Sequence, residues 1–451
     1  MSAETRAAAV LPRPTLTLLD AVAMIVGIVI GTGIFKAPSI VAGSVSSEQV
    51  FIALWIAGGV ISVVGALCYA ELGSAYPNAG GEYFFLSRAF GGKVGFLFAW
   101  ARMSVVQTGA IAAIAFVFGD YATQLFALGP KSSVIYALLA VAGITVLNIA
   151  GTRESKLLQN ILTIALVCAM LVAIIAGLGG SAAPVAAAPA SSSSAPMFSQ
   201  LALIFILLTY GGWNEAAYLT AEIRDARRNI VRALMLGILV VTVLYVLLNL
   251  AYVNVLGLAG MKASKAVAAD LMKATLGDAG VIVLSLVVIA AALSTLNATV
   301  FTGARTNYAV GRDFPVFRVL GVWKEQSNAP VNALLLQGAV ALVLVLFASM
   351  TPDGFETMVA YTAPAFWLFF LLTGISLFVL RRQQPVNADA FRVPLYPLTP
   401  LLFCAMCGYM LYSSVNYAMS KDPGSLGAQL GIGVLLLGVP LALLARKGAA
   451  D

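Results

Sequence analysis

Twelve apolar stretches of about 20 residues each constrain the fold of this chain more than any other feature. A helix needs about 20 mostly apolar residues to cross the hydrocarbon core of a bilayer. A porin-type barrel would instead alternate polar and apolar residues in units of about ten. The stretches therefore predict an all-α integral membrane protein with twelve transmembrane helices. These spans one to twelve are Leu16–Ala42, Val50–Tyr69, Val94–Gly119, Val134–Ala150, Leu157–Leu178, Phe198–Ala221, Ala233–Leu256, Ala279–Ala304, Val331–Met350, Phe355–Leu380, Leu398–Met419 and Leu426–Leu444.

The composition excludes several other classes of protein. Of the 451 residues, 61% are hydrophobic and 10% are charged, whereas about 25% of a soluble domain is charged. The chain has too little polar surface to cover a water-soluble globule. It contains no histidine, which excludes Ser–His proteases, haem held by histidine and most zinc enzymes. An intramembrane enzyme is therefore only a remote alternative, and we expect no catalytic residue and no organic cofactor.

The basic residues predict the orientation of the chain. If the N-terminus lies in the cytoplasm, 19 of the 26 lysines and arginines fall on the cytoplasmic side and five on the outer side. Such a bias follows the positive-inside rule. We expect a multi-pass protein of the cell (inner) membrane with both termini in the cytoplasm. The net charge of +7 then reflects the loops of a protein in a lipid bilayer, and no nucleic-acid partner is expected.

Spans one and six differ from the others because each contains closely spaced glycines, Gly31 and Gly33 in one and Gly211 and Gly212 in the other. They lie five spans apart, so the chain crosses the membrane in opposite directions at the two places. This is the pattern of an inverted repeat whose first helices are unwound, since glycine tolerates unwound backbone. The alternative is close packing of helices at small residues.

The repeat divides the chain into six segments. We expect a cytoplasmic N-terminal tail at residues 1–15, a first repeat of five spans at 16–178 and an extracellular loop at 179–197. A second repeat of five spans follows at 198–380, then a cytoplasmic loop at 381–397. Residues 398–451 hold spans eleven and twelve and a cytoplasmic tail.

The two breaks offer opposite partial charges near the centre of the bilayer. In span one, the N–H groups of Thr32, Gly33 and Ile34 begin a new helical segment and favour an anion. In span six, the first half ends near Leu208 and Thr209, whose carbonyls favour a cation. A small zwitterion such as an α-amino acid satisfies both breaks without a charged side chain, which would be costly at this depth.

Several motifs resemble those of a known family. They are Ile30–Phe35, Tyr69–Leu72 with Tyr76–Tyr83, Tyr210–Asn214 with Ala221–Asp225, and Tyr245–Tyr252. The chain resembles the amino acid–polyamine–organocation superfamily, and within it the L-type amino acid transporter branch with its bacterial homologues. The resemblance implies a LeuT-type 5+5 inverted repeat with broken helices one and six. It implies secondary active transport of neutral L-amino acids by alternating access.

The resemblance also implies which residues bind the substrate. The family's carboxylate site falls on residues of span one, and its ammonium site falls on backbone carbonyls of spans one and six. Where many members of the branch have an aromatic gate, this chain has Leu208. Asn214 either braces the break in span six or contacts the substrate. The implied substrate-binding residues are Val29, Thr32, Gly33, Ile34, Leu208, Thr209, Gly211 and Asn214.

The sequence leaves the identity of the coupling ion undetermined. Sodium-independent members of the branch have a lysine on span five where this chain has Leu166. Ala291, Ser294 and Thr295 on span eight match the i, i+3, i+4 spacing by which sodium-coupled relatives bind an ion. The carbonyls of Gly27 and Ile30 would complete five oxygen ligands for a sodium ion. Alternatively, the Ser294 and Thr295 hydroxyls only donate to backbone carbonyls one turn earlier. In that case no sodium ion binds, and the transporter is either coupled to protons or an uncoupled exchanger.

The remaining expectations concern partners and rival substrates. Heteromeric members of the branch carry a cysteine in the outer loop for a disulfide to a heavy chain, but the loop Asp120–Ser133 has none. We therefore expect no disulfide-linked heavy-chain partner. A polyamine or a cationic amino acid is the rival substrate, and Glu215 is the one acidic residue near the breaks. Lys36 is expected to extend outward to the membrane surface.

Overall fold

The computed structural model describes residues 17–76, 81–151, 156–179, 199–215, 223, 225–325, 327, 329–383 and 390–444. The predicted tail at 1–15 lies outside these residues. The same holds for almost all of the 179–197 loop, for part of the 381–397 loop and for the chain after 444. The family motifs at 76–83 and 221–225 are described only in part.

The described chain is helical, as its apolar stretches predict. Ten helical segments are long and apolar enough to cross a membrane, and two shorter apolar helices, α1 and α9, lie in the glycine-containing spans one and six. Twelve complete crossings stay a prediction. The helices are α1 (Leu18–Val29), α2 (Ala37–Gly43), α3 (Glu48–Ala75), α4 (Gly81–Phe90), α5 (Gly92–Ala101), α6 (Gln107–Leu125), α7 (Ser132–Ile149), α8 (Lys156–Gly179), α9 (Gln200–Thr209), α10 (Ala226–Ala263), α11 (Val267–Asp313), α12 (Val331–Ala348), α13 (Gly354–Gln383), α14 (Leu398–Ala418) and α15 (Ser425–Leu444).

Local sequence explains where the first helices begin. Thr17 caps α1, because its hydroxyl accepts the N–H of Asp20 while the Asp20 carboxylate accepts the N–H of Thr17. This reciprocal pair is a capping box and satisfies two N–H groups that the first turn leaves unpaired. Ser47 caps α3 with a single hydrogen bond, because its hydroxyl accepts the N–H of Val50.

The long helices pack in two groups. In the first group, α10 packs on α1 and α3, and α9 packs on α2 and α3, so this group contains both glycine-containing spans. In the second group, α11 packs on α6, α7 and α12. Helix α8 contacts α10 of the first group and α11 of the second, and therefore joins the two.

Buried amide side chains cross-link the second group. The Asn148 amide donates to the Asn297 carbonyl oxygen at 2.6 Å, and the Gln107 amide donates to the backbone carbonyl of Thr299 at 2.7 Å. Each pair joins a helix of the first half of the chain to α11. Because a buried polar group is costly to leave unpaired, these contacts favour one fixed arrangement beside the interrupted helices.

Two glycines bend the helices between spans seven and eight. Gly257 in α10 and Gly277 in α11 have φ values of 60° and 68°, a conformation that side-chain-bearing residues rarely adopt. The segment between them, residues 258–276, is helical on either side of a short turn at Ser264–Ala266. The carbonyl of Lys265 in this turn accepts a hydrogen bond from Lys36, so the segment reaches the far end of span one.

Candidate functional site between two interrupted helices

Span one is interrupted at its glycines. Helix α1 ends at Val29, and Gly31 is extended with φ −99° and ψ −175°. A 3-10 turn at Thr32–Phe35 then resumes the helical course towards α2. The predicted carboxylate-binding residues Thr32, Gly33 and Ile34 are the first three of this turn. The first N–H groups of a helical segment have no partner within it, so they suit an anion.

Span six is interrupted as well. Helix α9 ends at Thr209, Gly212 has φ 106°, and a 3-10 turn covers Trp213–Glu215. The N–H of Gly211 donates to the Leu208 carbonyl at 3.1 Å, which engages one predicted ammonium ligand. Asn214 is buried within the turn. The break therefore turns both polar backbone and a polar side chain into the interior.

The two interruptions touch each other. A Cβ built on Gly33 would lie 3.5 Å from the Thr209 side chain, and one built on Gly212 would lie 3.1 Å from the Ile28 carbonyl oxygen. The interrupted segments of the two spans therefore lie against each other. A side chain at Gly212 would be strained because of its φ and would also meet this carbonyl.

Tyr245 on α10 joins the two breaks, a role that the sequence analysis missed. Its hydroxyl donates to the Val29 carbonyl at 2.9 Å and lies 3.4 Å from the Thr209 carbonyl. The ring is fully buried and packs against Tyr210 and Trp55 with centroid distances of 5.1 and 6.0 Å. The signal was a tyrosine in the middle of an apolar span, where a hydroxyl needs a buried partner.

Val29 has no spare acceptor position in this arrangement. Its carbonyl accepts the Tyr245 hydroxyl and also the N–H of Gly31 at 2.8 Å, which uses both of its lone pairs. An ammonium group that binds here must displace Tyr245 from Val29 or rely on the carbonyls of Thr209 and Gly211.

The predicted sodium ligands Ala291, Ser294 and Thr295 lie on α11, which packs on the 3-10 turn Thr32–Phe35 of span one. The Thr295 hydroxyl donates to the Ala291 carbonyl at 3.0 Å, so two of the five predicted ligands engage each other. Leu166 is buried at the position of the branch's lysine. No group of three or more His, Cys, Asp or Glu side chains in the described parts of the chain has the arrangement of a metal site.

Lys36 is buried among acidic side chains, which makes the prediction that it extends outward wrong. Its side chain is 2% exposed, and its Nζ lies 2.8 Å from Asp120 and 2.9 Å from Asp353. It also donates to the Lys265 carbonyl at 3.2 Å. A buried charge is stable only when it is paired, and these partners hold Lys36 inside. We call Lys36, Asp120 and Asp353 the lysine cluster.

The lysine cluster ties three parts of the chain together, and the hydrogen bond from Lys36 to the Lys265 carbonyl adds a fourth. Lys36 follows the 3-10 turn of span one, Asp120 lies near the end of span three, and Asp353 directly precedes α13. Although burial raises the pKa of the Asp353 carboxyl, Lys36 and two backbone N–H groups hold that pKa below its usual value. The Asp353 carboxylate is therefore charged at neutral pH and pairs with the Lys36 cation.

A second cluster of charges lies at the opposite end of span three. Arg102 lies 3.9 Å from Glu82 on α4 and 3.6 Å from Glu215 after the break in span six. The Tyr69 hydroxyl donates to Glu82 at 2.5 Å. We call these four residues the arginine cluster. Arg102 precedes Asp120 by roughly 27 Å along a helix, so the two clusters lie on opposite sides of the breaks.

Comparison with known proteins places this architecture in a family. Residues 16–430 match the amino acid permease family. Interrupted apolar helices that expose opposite backbone charges are the architecture of a membrane transporter. The chain belongs to the amino acid permease family, as the motifs predict, and it is a transporter of amino acids rather than an enzyme.

Individual relatives are similar to this chain over most of their length. The b(0,+)-type amino acid transporter 1 of Mus musculus is 32% identical over 387 residues, 84% of this chain and 78% of the relative. The large neutral amino acids transporter small subunit 2 of Mus musculus is 31% identical over 95% of this chain and 80% of its own. The serine/threonine exchanger SteT of Bacillus subtilis is 27% identical over 96% of this chain and 97% of its own.

Proposed function

We propose that this protein is a secondary active transporter of neutral L-amino acids that works by alternating access, with both termini in the cytoplasm. The observation that carries the proposal is the direct contact between two oppositely charged breaks, with Tyr245 bonded to Val29 across them. The substrate carboxylate binds the N–H groups of Thr32, Gly33 and Ile34. The substrate ammonium binds backbone carbonyls of span six.

Charge near the breaks favours a neutral substrate side chain. Glu215 is the acidic residue nearest to the break in span six, and its carboxylate lies 3.6 Å from Arg102. It is therefore engaged by a cation of span three, and a cationic side chain of the substrate would have to compete for it. A polyamine or cationic amino acid is the alternative substrate, and it would require Glu215 to leave Arg102.

The clusters of charge support alternating access. The lysine cluster closes the end of the site that we assign to the outside, because both carboxylates lie within 2.9 Å of the Lys36 Nζ. The arginine cluster at the proposed cytoplasmic end is looser. A structure that is tight at one end and loose at the other suits one state of a transporter that exposes its site to one side at a time.

Two modes of coupling are consistent with the site. In the first, a sodium ion binds Gly27, Ile30, Ala291, Ser294 and Thr295, for which the Thr295 hydroxyl turns away from Ala291. In the second, the protein exchanges amino acids without sodium. The name of the Bacillus relative, a serine/threonine exchanger that matches this chain over 97% of its length, favours the second mode.

Uptake into proteoliposomes tests the function. Radiolabelled serine, leucine, lysine and putrescine are offered to the purified full-length protein, with and without internal serine. We expect uptake of serine or leucine and none of putrescine. Uptake of lysine or putrescine alone would overturn the assignment to neutral amino acids.

The same assay separates the modes of coupling. Replacement of sodium by choline abolishes uptake if the ion site operates, and Ser294→Ala and Thr295→Ala then weaken the sodium dependence. Exchange without sodium predicts that choline and both variants leave uptake unchanged, whereas removal of internal serine stops it.

A further inference from the structure

The arginine cluster brings together four separate segments of the chain. Tyr69 belongs to α3, Glu82 to α4, Arg102 to the start of the π-helical turn Arg102–Val106, and Glu215 to the turn after the break in span six. A single π-helical turn within an α-helical span often marks a functional position. The cluster therefore connects span three directly to the turn after the break in span six.

One guanidinium serves two carboxylates in this cluster. Its distances of 3.9 Å to Glu82 and 3.6 Å to Glu215 exceed the 2.7–3.2 Å typical of a hydrogen bond. The Glu82 side chain is 5% exposed, whereas Glu215 is 41% exposed. Two carboxylates that share one cation disfavour the second negative charge, and the buried one bears the larger cost.

The surroundings of Glu82 indicate which group takes up a proton. Burial raises the pKa of the Glu82 carboxyl to about 7, with a further increase from Glu215, while the Tyr69 hydrogen bond and Arg102 lower it. Helix α13 also packs on α4 and places the neutral Thr373 beside the Tyr69 hydroxyl. Arg88, on α4 itself, lies over the rings of Tyr76 and Phe84.

We propose that Glu82 is a proton-binding site that controls the opening of the transport path at its own end of the molecule. This proposal rests on the proposed transport function. A proton from water at that end adds to the Glu82 carboxylate, and no other bond forms or breaks. Neutral Glu82 no longer attracts Arg102, so Arg102 pairs with Glu215 alone. This ion pair holds the start of the second half of span six against span three. Proton binding therefore slows opening.

Amino acid exchange measured at equal pH on both sides of a proteoliposome tests the proposal. The deprotonated fraction of a group with a pKa near 7 falls about tenfold between pH 8 and pH 6. We expect the exchange rate of the wild type to fall severalfold over this range. Glu48→Gln, which changes an exposed carboxylate on α3, serves as the control and keeps the wild-type profile.

Three variants separate the members of the cluster. Glu82→Gln mimics the protonated state and is slow at every pH, whereas Glu215→Gln removes the partner of Arg102 and is fast at every pH. Tyr69→Phe removes a hydrogen bond that lowers the Glu82 pKa, so its profile shifts to higher pH. A Glu82→Gln protein with the wild-type profile overturns the proposal. If that variant does not reach the membrane, an unshifted Tyr69→Phe profile overturns it.

The wild type alone distinguishes the two proposals. Exchange that does not change between pH 6 and pH 8 overturns the proton site and leaves the transport function intact. A protein that exchanges no amino acid at any pH overturns both.

Discussion

The lysine and arginine clusters have the same charges but different geometry. Each has one cation and two carboxylates, and each lies where span three meets a glycine-interrupted helix. In the lysine cluster the charged atoms are 2.8 and 2.9 Å apart, and in the arginine cluster they are 3.6 and 3.9 Å apart. Identical charges thus form a tight, mostly buried contact at one end and a loose, more exposed contact at the other.

The difference follows from burial. Lys36 is 2% exposed, so its charge is stable only with both carboxylates in contact. Arg102 is partly exposed, and Glu215 is more exposed still, so water solvates both. Glu82 is the buried member, and it can take up a proton instead of pairing. We expect the first cluster to contribute strongly to stability and the second to respond to pH.

The largest expected effect is that of Lys36→Met. It leaves Asp120 and Asp353, which are 10% and 27% exposed, without their buried cation, and removal of one partner of a buried ion pair costs about 3–5 kcal/mol. Chemical unfolding in detergent measures the loss. Lys131→Met, an exposed lysine at the same end, is the control and should leave stability unchanged. A Lys36→Met protein as stable as the control would show that the cluster does not hold this end closed.

The arginine cluster should make the stability of the protein depend on pH through Glu82. The Glu82 pKa is raised to about 7 in the folded protein. The contribution of protonated Glu82 to the stability of the fold is therefore complete below the ordinary glutamate pKa and is lost as the pH rises through 7. The loss amounts to at most about 3 kcal/mol. The free energy of unfolding, measured from pH 4.5 to 8, should fall with pH in the wild type. The part of this fall that comes from Glu82 should be absent in Glu82→Gln. An unchanged slope in that variant would assign the pH dependence elsewhere.

Tyr245→Phe should have an intermediate effect on substrate affinity. The variant removes the hydroxyl that bonds to Val29 and lies beside Thr209, and such a bond contributes about 1 kcal/mol. Substrate binding should weaken about five- to tenfold, as measured by equilibrium binding of a radiolabelled substrate. Tyr136→Phe, which removes a surface hydroxyl bonded to the Phe126 carbonyl, should bind normally. Equal affinity in both variants would argue against the bridge.

Arg102→Gln should have the smallest effect on stability. The Arg102–Glu215 pair is partly exposed, and pairs near the surface contribute about 0–1 kcal/mol. The buried Glu82 can become neutral when the arginine is absent. The same unfolding assay in detergent makes the result directly comparable with Lys36→Met. If the two variants lost equal stability, the contrast between the tight and the loose cluster would disappear.

Local features of the sequence were sufficient to predict the helices and their interruptions. The apolar stretches reappear as helices, and the glycines at 31 and 211–212 lie at the ends of α1 and α9. Both features depend on neighbouring residues only: the length of an apolar run and the conformational freedom of glycine. The direction of each helix then fixed which backbone groups face the breaks.

The contacts between distant residues were not predictable in the same way. Lys36 has its carboxylates 84 and 317 residues further along the chain, at Asp120 and Asp353, and nothing near Lys36 in sequence signals them. The same holds for Tyr245 and Val29, which are 216 residues apart. A single sequence shows that a buried polar group needs a partner, but the packing of the spans decides which partner it finds.

Substrate binding to Gly33→Val tests the central claim most directly. A valine at this position crowds the N–H groups of the first turn after the break, next to Thr209. Gly143→Val is the matched control, because a Cβ there meets open space on an exposed face of α7. Equilibrium binding of a radiolabelled neutral amino acid should be abolished in Gly33→Val and retained in Gly143→Val. Normal binding by a folded Gly33→Val protein would contradict a carboxylate site at this break.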